Sequence, residues 1–191
     1  MNLDNIVDTL GLPGVVLGTA LEGEGVAFLA GVFVHRGVFD YEAAAFAAAL
    51  GAIITDNVVF GVGRFAGKSR YAQRFLTHHR VVGLRKMMDQ HQTKVVLGFR
   101  FLYGLKTVAP LMLGSSTIPW WRYALLDAVA VTVWAHLFVG IGYGVGKAIE
   151  QYFGKLKPEI HAAIALLIFV VVAAGFWYVV KKRREAKGGV S

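Results

Sequence analysis

Three stretches of the chain stay apolar long enough to cross a membrane. Ala43 to Gly63 is rich in Ala, Val and Phe, with Asp56 its one ionised residue. Tyr123 to Gly146 carries Asp127 near its start and His136 midway, and Ile160 to Val180 ends in Trp177-Tyr178 followed by Lys181-Lys182-Arg183-Arg184. A hydrocarbon core needs about 20 apolar residues in a helix, so each stretch predicts one membrane span. An aromatic pair followed by a basic stop marks the cytoplasmic end of the third.

Two further apolar stretches are interrupted. Leu12 to Val34 is broken by Pro13 and by Glu22-Gly23-Glu24-Gly25, and Val95 to Trp121 by Arg100, Gly104, Lys106, Pro110, Gly114 and Pro119. Glycine and proline in mid-segment interrupt a helix. Irregular backbone at membrane depth survives only where protein or a wet cavity surrounds it. Both stretches are therefore candidates for broken segments that enter the membrane and turn back.

Charge adds topology. Before residue 64 the only Lys or Arg is Arg36, against seven acids; from Arg64 to Lys94 there are eight basic residues and one acid, Asp89. By the positive-inside rule this basic loop and the KKRR tail both lie in the cytoplasm. The spans 123–146 and 160–180 already bring the chain back to that side, so Val95 to Trp121 must cross an even number of times. It is too short to cross twice, which predicts a re-entrant path. Leu12 to Val34 is read in the same way from its pattern, placing the N-terminus outside. Residues 68–92 mix basic positions with Tyr71, Phe75, Leu76, Val81, Val82, Leu84, Met87 and Met88, the pattern of a helix lying in the cytoplasmic interface.

A short repeat runs through this layout. Gly61-x-Gly63-x-x-x-Gly67-Lys68 recurs as Gly140-x-Gly142-x-x-x-Gly146-Lys147. Each copy closes a span that follows a broken segment, so the two units start on opposite faces and read as an inverted repeat, the arrangement of many secondary transporters. The same glycines also suit close helix contacts of the small-x-x-x-small kind. The prediction is an all-α polytopic membrane protein forming one domain over residues 1–191. Repeat 1 covers about 11–67, an interfacial segment about 68–94 and repeat 2 about 95–147. A C-terminal membrane helix follows at about 160–180, then a basic tail at 181–191.

Composition narrows the class. Of 191 residues 56% are apolar and 17% charged, whereas soluble domains average about 25% charged. An ordinary soluble domain and a disordered chain are excluded. The absence of cysteine removes disulfides, thiol catalysis and cysteine metal sites. The net charge of +8 could signal nucleic acid, but no aromatic-interleaved basic face or binding motif accompanies it.

Ionised groups inside apolar segments are expensive and normally face partners or water. Glu22 and Glu24 lie in the first broken segment, Asp56 in mid-span, and Arg100 and Lys106 in the second broken segment. Arg100 and Lys106 suit an anion such as phosphate, the first with a planar fork and the second with a point charge. Glu22, Glu24 and Asp56 suit the uptake and release of a proton, because burial favours the neutral carboxyl. The alternative is a set of structural salt bridges tying the broken segments together. Asp127, near the start of its span, is read as a helix-end residue at an interface.

Other patterns carry less. Gly63 to Ser69 resembles a phosphate loop, but the required spacing puts Val62 where glycine is needed. His78-His79 are adjacent and do not share a helix face. His136 has no second histidine at metal-ligand spacing, and Ser115-Ser116 have no base partner. No nucleophile, metal or cofactor pattern argues for an enzyme.

The stretch Gly98-Phe99-Arg100-Phe101-Leu102-Tyr103-Gly104-Leu105-Lys106-Thr107-x-x-Pro110-x-x-x-Gly114 resembles the re-entrant signature of the DedA family, the SNARE-associated or VTT-domain membrane proteins. Pro119, Tyr123 and Trp134-Ala135 continue it. Gly51-x-x-x-x-Asp56-x-x-x-Phe60-x-x-Gly63-Arg64-x-x-Gly67 looks like the family's glycine–aspartate block, and Glu22 and Glu24 before Phe28-Leu29-Ala30-Gly31 like its first acidic segment. The resemblance covers roughly residues 11–147. It implies two re-entrant segments related by inverted symmetry, a bacterial inner-membrane location, and flipping of an anionic lipid phosphate. That lipid would be undecaprenyl phosphate or a phospholipid, moved with proton coupling. It makes Asp56 and Arg100 the essential acid and base, and one of Glu22 and Glu24 the essential glutamate. Lys106 stands where the family usually has arginine, and the prolines many members place between the first acids are missing.

The expected partners are membrane lipids and protons, with the oligomeric state open and a homodimer among the options. Rival readings are a proton-coupled transporter of small solutes or drugs, a lipid scramblase without ion coupling, and a non-transporting scaffold.

Overall fold

The computed structural model describes residues 3–66, 91–101 and 106–153, with 160, 163–164, 166–167 and 170–171 beyond them. Every regular element among these residues is helical. In chain order they are α1 (Leu3–Leu21), α2 (Glu24–His35), α3 (Tyr41–Ala66), α4 (91–98) leading into a 3-10 turn at Phe99–Phe101, α5 (Val108–Gly114) and α6 (Trp120–Phe153). The expected interfacial helix over 68–92 falls outside the described residues except for its last two. Of the C-terminal span, the described residues between 160 and 171 are helical, and the rest lies outside them.

The helices form and stop for local reasons. Gly11, at φ 45° and ψ −137°, kinks α1; such a backbone is open to glycine and strained for other residues. Pro13 follows within the first turn of the continuing helix, where a missing amide costs little. Gly23, at φ 92°, separates α1 from α2. Asp40 caps α3, its Oδ1 accepting from the Glu42 and Ala43 amides at 2.9 and 3.1 Å. Pro119 opens α6, its carbonyl accepting from the Arg122 and Tyr123 amides.

Two boundaries differ from the sequence expectation. The span expected at Tyr123–Gly146 runs from Trp120 to Phe153, so its glycines lie inside the helix and do not end it. Gly142 and Gly146 sit on the packed face, where close helix contact outweighs the low helix propensity of glycine. Gly25, expected as part of a break, is buried within α2.

Length separates the elements into two kinds. α3 has 26 residues and α6 has 34, roughly 39 and 51 Å at 1.5 Å per residue. Both exceed a hydrocarbon core of about 30 Å. α2, with 12 residues, reaches roughly 18 Å and cannot cross alone. The long helices also expose an apolar stripe. Phe46, Leu50, Ile54, Val58 and Val62 face outward on α3, and Leu125, Val129, Val133, Leu137 and Ile141 on α6. A four-residue step keeps each set on one face, and a stripe of that length suits lipid better than water.

The opposite faces meet in a core of small residues. Ala27, Ala30, Ala44, Ala45, Ala48, Ala52 and Ala135 are buried around Trp134, which lets the backbones approach closely. A second cluster joins Phe60 to Val95, Val96, Phe99, Leu113, Ile118 and Tyr123. It fastens the second broken segment between α3 and α6.

The closest approaches recur with exchanged partners. A Cβ on Gly31 of α2 would strike the Val139 carbonyl of α6, and one on Gly142 of α6 would strike the Phe28 carbonyl of α2. Likewise a Cβ on Gly114 of α5 would strike the Phe60 carbonyl of α3, and one on Gly63 of α3 that of Leu111 in α5. Gly63 and Gly142 hold the same place in the repeated glycine motif. The short helix after each break therefore packs on the long helix of the other half.

Candidate functional site

The five ionisable residues singled out in the sequence form two clusters, each joining the two halves of the chain. In the first, Arg100 on the 3-10 turn donates through Nη1 to Oδ2 of Asp56 on α3. The two side chains are 8% and 7% exposed, so the pair is buried. The guanidinium also stacks over the Trp134 ring of α6, 4.5 Å from its centroid, a favourable place for a cation. Tyr123 reaches towards the Asp56 carbonyl at 3.4 Å and stacks on Phe60 at 4.1 Å between centroids.

The second cluster is more open. Lys106, just before α5, donates to Glu24 Oε2 at 2.8 Å and to the Glu22 carbonyl at 2.7 Å. Its side chain is 47% exposed and that of Glu24 19%. Gly23 lies beside this contact, and its φ of 92° is one that glycine adopts without strain.

The two glutamates differ in what they touch. The Glu24 carboxylate holds Lys106. The Glu22 carboxylate turns back to accept the Val26 amide at 3.0 Å, satisfying an otherwise open donor at the start of α2. Glu22 thus contributes a cap through its side chain and a lysine ligand through its backbone.

Asp127 is not at a helix end but about two turns into α6. It is fully buried in α6, within electrostatic reach of Asp56 and Arg100. The available signal was spacing, since Tyr123, Asp127, Val131 and Trp134 follow one helical stripe and all are buried. Counting only its distance from the start of the apolar run hid that phase.

Remaining polar contacts brace the scaffold. Arg64 donates to the carbonyls of Ser116, at 2.9 Å, and Ile118, fixing the loop before α6. Trp120 Nε1 donates to Asn57 Oδ1 at 3.0 Å. Elsewhere along α6, His136 pairs with Glu42 at 3.2 Å and His35 with Glu150 at 2.7 Å. The Ser115 and Ser116 hydroxyls donate to backbone carbonyls of the preceding turn. Among the described residues no group of three or more His, Asp or Glu side chains is placed to hold a metal.

With this arrangement in view, the comparisons with known proteins identify the class. The family model of the VTT domain matches residues 21–144, which include all the residues of both clusters. The chain belongs to that family, the DedA membrane proteins. It is 30% identical over 189 residues to inner membrane protein YohD of Escherichia coli strain K12, covering 98% of this chain and 97% of the relative. It is 23% identical over 184 residues to undecaprenyl phosphate transporter A of Bacillus subtilis strain 168, covering 91% and 90%. Inner membrane protein YqjA of Escherichia coli strain K12 is 23% identical over 165 residues, covering 85% and 74%. No solved structure matches the chain.

Proposed function

We propose that this chain is a bacterial inner-membrane transporter that moves an anionic lipid phosphate between leaflets, coupled to protons. The lipid is undecaprenyl-phosphate-like or a phospholipid. Arg100 and Lys106 bind its phosphate, and Glu22, Glu24 and Asp56 answer the change in charge. Family membership and the undecaprenyl phosphate transporter among the relatives support the substrate class.

One observation carries the mechanism: each cation of the second broken segment is held by an acid of the first half, Arg100 by Asp56 and Lys106 by Glu24. A phosphate can take each cation only by replacing its carboxylate. The carboxylate released from Arg100, that of Asp56, is then left in a poorly hydrated place, where taking up a proton relieves its charge. Anion entry and proton uptake are coupled by that exchange. Lys106 is the exposed base and meets the headgroup first; Arg100 lies deeper and offers the two-pronged geometry that phosphate fits.

The surrounding fold is read as one membrane domain with two re-entrant segments in inverted repeats. The short length of α2 and the exchanged glycine contacts support it. The basic loop and tail belong in the cytoplasm and the N-terminus outside. No enzymatic step is needed, and none is proposed.

The test is leaflet exchange of a labelled undecaprenyl phosphate in proteoliposomes, with and without a pH gradient. Protein-dependent exchange that responds to the gradient and disappears in folded Arg100→Ala and Asp56→Asn supports the reading. A folded wild type that moves no lipid while carrying solute with protons would overturn the substrate class. Lipid exchange indifferent to the gradient would leave a scramblase and remove the coupling.

A further inference from the structure

The buried cluster between α3, the 3-10 turn and α6 does not balance its charges. Asp56 and Arg100 neutralise each other, and Asp127, four residues after the Tyr123 that reaches Asp56 and seven before the Trp134 under Arg100, adds a second carboxylate to the same enclosed space. The other groups acting there are Tyr123, on α6 itself, and Lys106 before α5. The first is a phenol, and the second is half-exposed and bonded to Glu24 and the Glu22 carbonyl. Two carboxylates against one committed guanidinium leave one negative charge unanswered.

Hydrogen bonding agrees with the charge count. Among the described residues neither Asp127 oxygen has a hydrogen-bond donor, and the buried Arg100 Nε and Trp134 Nε1 are likewise without acceptors. Asp127 and Trp134 lie two turns apart on the buried face of α6, with Arg100 stacked on Trp134. An ionised carboxylate without a donor in low dielectric is severely penalised, and neutralising one of two neighbouring carboxylates removes both that penalty and their repulsion.

We infer that Asp127 is a proton-binding site: it carries one exchangeable proton in an acid–carboxylate pair with Asp56, while Asp56 stays bound to Arg100. This deepens the transport reading above, which it needs only to give the proton a use. When an anion draws Arg100 away, Asp56 becomes the neighbouring base, and the Asp127 proton passes to it from Oδ to Oδ. Asp127, left with the carboxylate charge, is then refilled from water, so one proton enters with the anion.

Infrared spectroscopy of the purified full chain in lipid nanodiscs, at about neutral pH, reads this proton directly. The expected result is a carboxylic-acid carbonyl band that shifts in D2O, moves on ¹³C labelling of aspartate, is lost in Asp127→Asn, and survives in Glu22→Gln and Glu24→Gln. A folded wild type without the band overturns the inference, as does a band insensitive to aspartate labelling or one that persists in Asp127→Asn. Sodium-dependent thermal stabilisation without the band overturns it too, in favour of a cation site. The labelled wild type keeps the test decisive if Asp127→Asn does not fold. An intact band in protein that moves no lipid would instead sink the transport reading alone.

Discussion

The two ion pairs use the same chemistry in different surroundings. Arg100–Asp56 is enclosed by Trp134, Tyr123 and the second apolar cluster, whereas Lys106–Glu24 stands at the surface of the same broken segments. An exposed pair contributes about 0–1 kcal/mol, because water solvates both partners nearly as well apart as together. Breaking a buried pair by removing one partner costs about 3–5 kcal/mol, since the survivor is left charged and dry. The exposed pair can therefore open for a passing anion at little cost. In the transport cycle proposed above, the buried pair opens only for a group that replaces its charge, and the same bond serves as scaffold and as gate.

The sharpest break of this comparison is Arg100→Ala, which strands Asp56 beside Asp127. It should lower stability by about 3–5 kcal/mol, read as a fall in the midpoint of detergent denaturation, and abolish lipid exchange. Adding Asp56→Asn to Arg100→Gln removes both charges. That double variant should regain at least half of the lost stability and none of the transport, separating scaffold from gate. Full recovery of exchange would contradict the role given to the pair.

Next in size, Lys106→Ala should change the same midpoint by about 0–1 kcal/mol while weakening lipid exchange severalfold, and Lys106→Arg should restore it. A stability loss equal to that of Arg100→Ala would erase the distinction between the pairs. Salt gives a weaker probe without mutation. Raising ionic strength from about 0.1 to 1 M shortens the screening length from about 10 to 3 Å, so it should imitate part of the Lys106→Ala effect and leave the Arg100 variants' relative stability unchanged. A stability effect of similarly small size is expected for Glu22→Gln. It keeps an oxygen for the Val26 amide and leaves the backbone carbonyl on Lys106, so stability should fall by about 0.3–1 kcal/mol through the lost helix-terminus charge.

Much of the architecture was legible because membrane helices announce themselves by length and composition. The stretches beginning at Ala43 and Tyr123 lie inside α3 and α6, and the breaks at Glu22-Gly23 and around Arg100 to Lys106 are where helices end. Boundaries were harder. Gly140 to Gly146 read as the end of a span, yet the helix runs on through them, with Gly142 and Gly146 packed against α2. Asp127 was misplaced for a related reason, since distance from the start of an apolar run says nothing about which way the helix face points.

By itself the sequence determined which ionisable residues lie within apolar segments, where the backbone had to break, and which family the motifs belong to. Those properties are local: hydropathy, glycine, proline and residue identity act over a few neighbours. Pairing was decided only by the tertiary structure. Arg100 on Asp56, Lys106 on Glu24, the glutamate that caps α2 and the aspartate left unanswered all join residues distant in the chain or turned by helical phase. Charge alone allowed every acid to meet every base. The close glycine contacts of α2 on α6 and α5 on α3 set the helices at one spacing and rotation, and that geometry selected the partners.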